Sequence, residues 1–118
     1  MPANSEILIS STTHSGANAD LVTITGDKFK GDGYYGWGDG LHTVSYQLTS
    51  FVGDIRIQAT LAADPIDSDW FDVDGTSIGN DATPLTTVQI INFIGNFVWV
   101  RAVANYTAGT INTILYNH

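Results

Sequence analysis

The chain has 118 residues, no cysteine, 43% hydrophobic and only 14% charged residues, so one domain with one core is expected over residues 1–118, with neither a disulfide nor a thiolate metal site. Twelve acidic residues against four basic ones leave a net charge of −8, a field that repels phosphate backbones and anionic bilayers and argues against nucleic-acid and membrane partners. No basic leader precedes the short Ile7-Leu8-Ile9 run, and no apolar stretch approaches the ~20 residues of a membrane-crossing helix, so the expectation is a soluble protein made in the cytoplasm.

Taken in chain order, the periodic segments read as strands. Ile7 to Ser11 is a short candidate, and Leu21 to Thr25 is the next. From His42 to Thr49 alternation puts Val44, Tyr46 and Leu48 on one face and Thr43, Ser45 and Gln47 on the other. From Asp54 to Leu61 it puts Ile55, Ile57, Ala59 and Leu61 on one face and Arg56, Gln58 and Thr60 on the other. Trp70 to Val73 is short. Thr87 to Phe93 and Phe97 to Ala104 are richer in apolar residues, the pattern of strands buried on both faces. Gly109 to Asn117 is the last. No window carries a helical stripe, and β-branched and aromatic residues dominate. Gly-Asp and Gly-Asn pairs such as Gly26-Asp27, Gly53-Asp54 and Gly95-Asn96 mark turns between these segments. The fold class that follows is all-β: a single antiparallel β-sandwich, jelly-roll-like, of about eight strands. Its expected core is Val44, Tyr46, Leu48, Ile55, Ile57, Val98, Val100, Ile111 and Leu115.

Two stretches could carry chemistry. Gly31 to Gly40 packs Tyr34, Tyr35 and Trp37 among glycines, with Asp32 and Asp39. Exposed rings there would stack on a sugar or a partner surface, and Tyr34, Tyr35, Trp37 and Asp39 are the candidate interface. The alternative is a long turn whose rings cover an edge of the core. Asp64 to Gly75 carries five carboxylates. It is no EF-hand, because Gly75 stands where the bidentate Glu belongs and Asp69 where the turn needs Gly. A looser Ca²⁺ site at a sandwich edge would use Asp67, Asp69, Asp72 and Asp74, against the alternative of a solvated loop.

His14, His42 and His118 show no metal-binding spacing, and no G-x-S-x-G turn is present, so no enzyme is expected. His42, within a strand, reads as a satisfied or exposed side chain rather than a base. Arg101, in the apolar run Phe97 to Val103, should pair with an Asp or lie on an aromatic face such as Trp99.

Lys28 to Gly36 leading into Asp39 to Val44, Asp69 to Val73, and the ending Gly95 to Ala102 through Gly109 to His118 resemble a group of small virion structural proteins of tailed phages, marine and cyanobacterial ones especially. The likeness covers most of the chain after Asp27 and transfers no catalytic residue. The succession Ile55 to Ala59, Asp69 to Phe71 and Phe97 to Ala102 is also similar to discoidin and galactose-binding-like jelly rolls, without their additional arginines and long binding loops. The first resemblance implies a head decoration or cement protein, or a neck or tail accessory, located on the virion. Its partners would be other virion proteins; the exposed rings of the Tyr34 to Trp37 loop add the expectation of a homo-oligomer, a trimer being slightly preferred, or of a monomer that orders only on the particle. The alternative is an adhesin module binding host glycans through the Tyr34, Tyr35 and Trp37 loop.

Overall fold

A computed structural model of the chain describes residues 6–14, 22–31, 40–79 and 83–117. Its strands are β1 (Glu6–Ile9), β2 (Thr12–Thr13), β3 (Val22–Thr25), β4 (Phe29–Lys30), β5 (Leu41–Thr60), β6 (Phe71–Asp72), β7 (Leu85–Ile94) and β8 (Trp99–Asn117). A single 3₁₀ turn, Asp67–Asp69, is the only helical element among the described residues. The fold is all-β, one sheet of eight antiparallel strands.

The two segments read as separate strands at 42–49 and 54–61 are one strand, β5, and those at 97–104 and 109–117 are likewise one strand, β8. They pair with each other from Thr43↔Asn117 to Thr60↔Trp99. The Gly-Asp pair at Gly53 is therefore a bulge within a strand and not a turn between two. β1 to β4 follow one another along the free edge of β8, and β7 and β6 do the same along β5.

Length shows that both long strands must bend. Nineteen residues at ~3.3 Å each would run roughly 63 Å, yet the longest dimension of the molecule is 45 Å. The bend falls where the pairing register slips, between Thr49 and Gly53 on β5. There Ser50 and Gly53 have φ of 50° and 149°, and Gly109 across from them has φ of 100°. A Cβ on Gly109 would run into the Ser50 carbonyl, so glycine is required at that crossing.

The bend folds the sheet into two layers. The first holds β1, β2, β7, the N-terminal half of β5 and the C-terminal half of β8. The second holds β3, β4, β6 and the other two halves, extended by a bridge between Ile55 and Ile78. Tyr46 of the first layer donates its hydroxyl to the Thr76 carbonyl at 2.8 Å. Thr76 is tied in turn to the second layer, its Oγ1 accepting from the Ile57 amide at 3.1 Å and donating to the Val73 carbonyl at 2.6 Å. Phe51 and Tyr106 stack at 5.4 Å beside the bend.

One apolar cluster fills the space between the layers. Val44, Tyr46, Leu48, Ile55, Ile57, Val100 and Ile111 are buried as expected. Val98 and Leu115 are only half-buried. Val98 precedes β8 in a turn, where its amide donates to the Thr60 carbonyl. Asn112 is the extra residue of a register slip, so the inward positions pass from Ile111 to Ile114 and Tyr116, and Leu115 points outward. Leu61 is 66% exposed because β5 ends at Thr60. β7 is not buried on both faces either. It pairs only with β5, and Val88, Ile90 and Ile94 on its outer face are exposed.

Candidate functional site

Tyr34, Tyr35, Trp37 and Asp39 lie outside the described residues. The two ends of their segment are anchored close together at one end of the sandwich. The Gly31 amide donates to the Val98 carbonyl at 2.9 Å, and the Gly95 amide donates to the Gly40 carbonyl at 3.0 Å. Beneath them His42 is fully buried, its ring stacked on Phe93 at 4.9 Å and on Tyr116 at 5.8 Å.

The four candidate calcium carboxylates are spread along their loop and do not gather at one point. Asp69 accepts the Ile66 amide at 2.9 Å. Asp67 lies in the 3₁₀ turn and Asp74 in the tight turn before Thr76. Asp72, on β6, accepts from Arg56 Nε at 2.9 Å and from Gln58 Nε2 at 3.0 Å. The Gln58 bond, followed by the bond and charge of Arg56, holds the Asp72 carboxyl below its usual value against the pull of burial. Among the described residues no three His, Cys, Asp or Glu side chains gather as a cation would need.

The outer face of the second layer is a closed polar network. Arg56 reaches Asp72, Asp54 at 3.0 Å and Asn105 at 2.8 Å, and Asn105 donates to Thr23 at 2.7 Å. Burial works against the Arg56 guanidinium, but the hydrogen bonds and charges of Asp72 and Asp54 outweigh it and raise its pKa. Arg101 donates to Gln58 Oε1 at 2.9 Å and lies over the ring of Trp70, 4.2 Å from its centroid. The cation–ring contact expected of Arg101 thus exists on Trp70, while Trp99 takes Lys28 at 4.6 Å. The substitution of rings follows from β6: its pairing opposite Gln58 brings Trp70 beside Arg101, the residue facing Gln58 on β8.

The outer face of the first layer has the opposite character. Ile7 stands across from Leu115, Leu115 across from Ser45, and Ser45 across from Ile90, one apolar row over four strands interrupted by a serine. The next row is Thr113, Gln47 and Val88, and Leu41 pairs with Ile94 at the strand ends. Ile7, Leu41, Val88, Ile90 and Ile94 are 53%, 48%, 64%, 64% and 75% exposed. They make up five of the eight large apolar residues exposed among those described. Among the described residues no charged side chain lies on this face. Glu6 stands opposite the inward-facing Tyr116, on the other face of β1. Sequence reasoning missed this surface by burying Val88 and Ile90, although a signal was present: residues 40–53 carry no charge, and residues 82–118 carry only Arg101.

Two open grooves lie among the described residues. One groove of about 420 Å³ runs between β1 and β3, beside Ile9, Ile24 and Asp27. Another of about 420 Å³ lies between β6 and the end of β7, where Phe71, Phe93 and Phe97 meet Asp72, Asp74 and Asn92. Its rings form a series from the buried His42 through Phe93 and Phe97 to Phe71, which is 43% exposed. Comparison with known protein families, with curated proteins and with solved structures found no match for this chain.

Proposed function

We propose that this chain is a structural protein of a bacteriophage particle, one that works by protein–protein contact and catalyses nothing. A decoration or cement protein of the head, or a small neck or tail accessory, is the role meant. The observation that carries the reading is the outer face of the first layer, on which no described residue is charged, with its uncovered Ile7, Val88, Ile90 and Ile94. Exposed apolar surface gathered on one side of a small domain marks a contact site, whereas scattered apolar residues do not. The resemblance of Lys28 to Gly36 and of Gly95 to Ala102 to small phage virion proteins supplies the particle. The loop bearing Tyr34, Tyr35, Trp37 and Asp39 is a second candidate contact.

The test is co-sedimentation of the purified chain with phage heads and tails that lack it. Saturable retention at a fixed number of copies per particle is the expected result. No retention on heads or tails at micromolar concentration would overturn the reading.

A glycan-binding module is the second reading, favoured by the groove in which the exposed Phe71 ring stands beside Asp74 and Asn92. Aromatic faces stack on sugar rings, and carboxylates and amides accept and donate to their hydroxyls. Binding on a glycan array that is lost in Phe71→Ala would favour it.

A further inference from the structure

We propose that the outer face of the first layer is a self-association surface, on which two copies of this chain meet face to face about a two-fold axis. The inference deepens the assembly reading by naming the surface and its first partner, and it rests on that reading only in treating the chain as an assembly protein.

Charge selects the occupant. The chain carries −8, so two copies repel each other wherever carboxylates would meet. Among the described residues every Asp lies on the second layer or the loops attached to it, and Glu6 is turned to the other face of β1. Among the described residues the outer face of the first layer is the broad surface on which a like-charged copy meets no charge. A basic partner would be drawn instead to the acidic loop from Asp64 to Asp74, at the other end of the chain's charge distribution.

Size is consistent with a pair. Four strands at ~4.8 Å spacing and the nine residues Leu41 to Thr49 at ~3.4 Å give a flat area of roughly 600 Å², and side-chain relief adds to it. Specific interfaces begin at about 600 Å² per partner and centre near 800 Å². The face therefore supplies one two-body contact and no surplus for a second. A ring of three copies needs two different complementary patches on each copy, whereas a two-fold pair needs one self-complementary patch. The described residues offer one such patch, which favours a dimer over the trimer expected from sequence. Two sheet faces packed at the usual ~10 Å separation would interleave the Leu115 and Ile90 row of one copy with that of the other, with Ser45 leaving a shallow recess between them.

The experiment is sedimentation equilibrium of the full chain from low micromolar to near-millimolar concentration, at low and moderate salt. The wild type should pass from monomer to dimer and associate more tightly as salt screens the like charges. Ile90→Asp places a carboxylate in the contact and should weaken the dimer at least about tenfold. Leu61→Asp, at an equally exposed apolar residue off the face, should leave the dimer unchanged. Mixing Ile90→Asp with Ile90→Lys should restore a heterodimer. Circular dichroism and melting curves establish that each variant folds, and Ile94→Asp at the strand end replaces Ile90→Asp if that one does not. A wild type that stays monomeric throughout, or an association that both face variants leave intact, overturns the inference. The two readings fail separately. A monomeric chain that still binds phage particles removes the dimer and leaves the assembly role, while a dimer that binds no particle does the reverse.

Discussion

Tyr46→Phe tests how the two layers are held together. The Tyr46 ring is fully buried, and its hydroxyl donates to the Thr76 carbonyl at 2.8 Å across the core. Removing the hydroxyl leaves that carbonyl without its donor in a dry site, which should cost about 1–3 kcal/mol at neutral pH. The same burial, with the nearby charge of Asp54 adding to it and the Thr76 side chain opposing it, pushes the phenol pKa far above its ordinary 10.0. The folded protein thus keeps this proton at a pH where the unfolded chain releases it. A group of this kind adds stability in full below the unfolded pKa, and the contribution drains away as pH rises beyond it. Two pH units above the unfolded value, the wild type should have lost about 3 kcal/mol through this one phenol. Tyr46→Phe has no such proton to lose, and every other tyrosine and lysine is common to both proteins. Urea unfolding followed by tryptophan fluorescence at a series of pH values from neutral to about 12 should therefore show the variant less stable at the start and level with or above the wild type at the end. Two curves that fall in parallel above pH ~10 would refute the buried, neutral phenol.

Two further outcomes follow from the same structure. Ile57→Ala empties a fully buried position on β5 and should cost roughly 2–5 kcal/mol in chemical denaturation, where a loss under ~0.5 kcal/mol would mean that the inward face is wrongly placed. Millimolar Ca²⁺ should leave the melting temperature where chelator leaves it, because Asp67, Asp69, Asp72 and Asp74 do not converge; a chelator-reversible rise would mean that the loop closes around the ion.

The alternation of β5 was legible residue by residue, because period-two patterning over Val44, Tyr46 and Leu48 and over Ile55, Ile57 and Ala59 is the physical signature of a strand with one buried face. What could not be read was that these two runs are one strand. Their phase changes parity at Ser50 to Gly53, and a Gly-Asp pair at a change of phase looks the same in sequence whether the chain turns back or bulges and goes on. The partner decides, and the partner, β8, lies some fifty residues further on. The same limit hid the ring beneath Arg101. An arginine in an apolar run predicts an aromatic face, but Trp70 reaches it only through the pairing of β6 with β5. The burial of His42 between Phe93 and Tyr116 was equally non-local.

β7 is the instructive misreading. Its apolar residues occupy both parities, Leu85, Ile91 and Phe93 facing the core and Val88, Ile90 and Ile94 facing out. In sequence that is the pattern of a strand covered on both sides, and within this molecule only one side is covered. A strand on a solvated outer face gains nothing from such residues and risks non-specific association, which is why edge strands are commonly blunted with charge or proline. β7 has no charge, and Pro84 precedes the strand rather than interrupting it. The outer face of the second layer shows what this sequence does where a surface is to stay wet: Arg56, Gln58, Asp72 and Arg101 are placed there and satisfy one another. The contrast between the two faces of one continuous sheet is what the proposed self-association would produce: if another copy supplies the missing cover of β7, the pattern that overstated burial in one chain describes the pair.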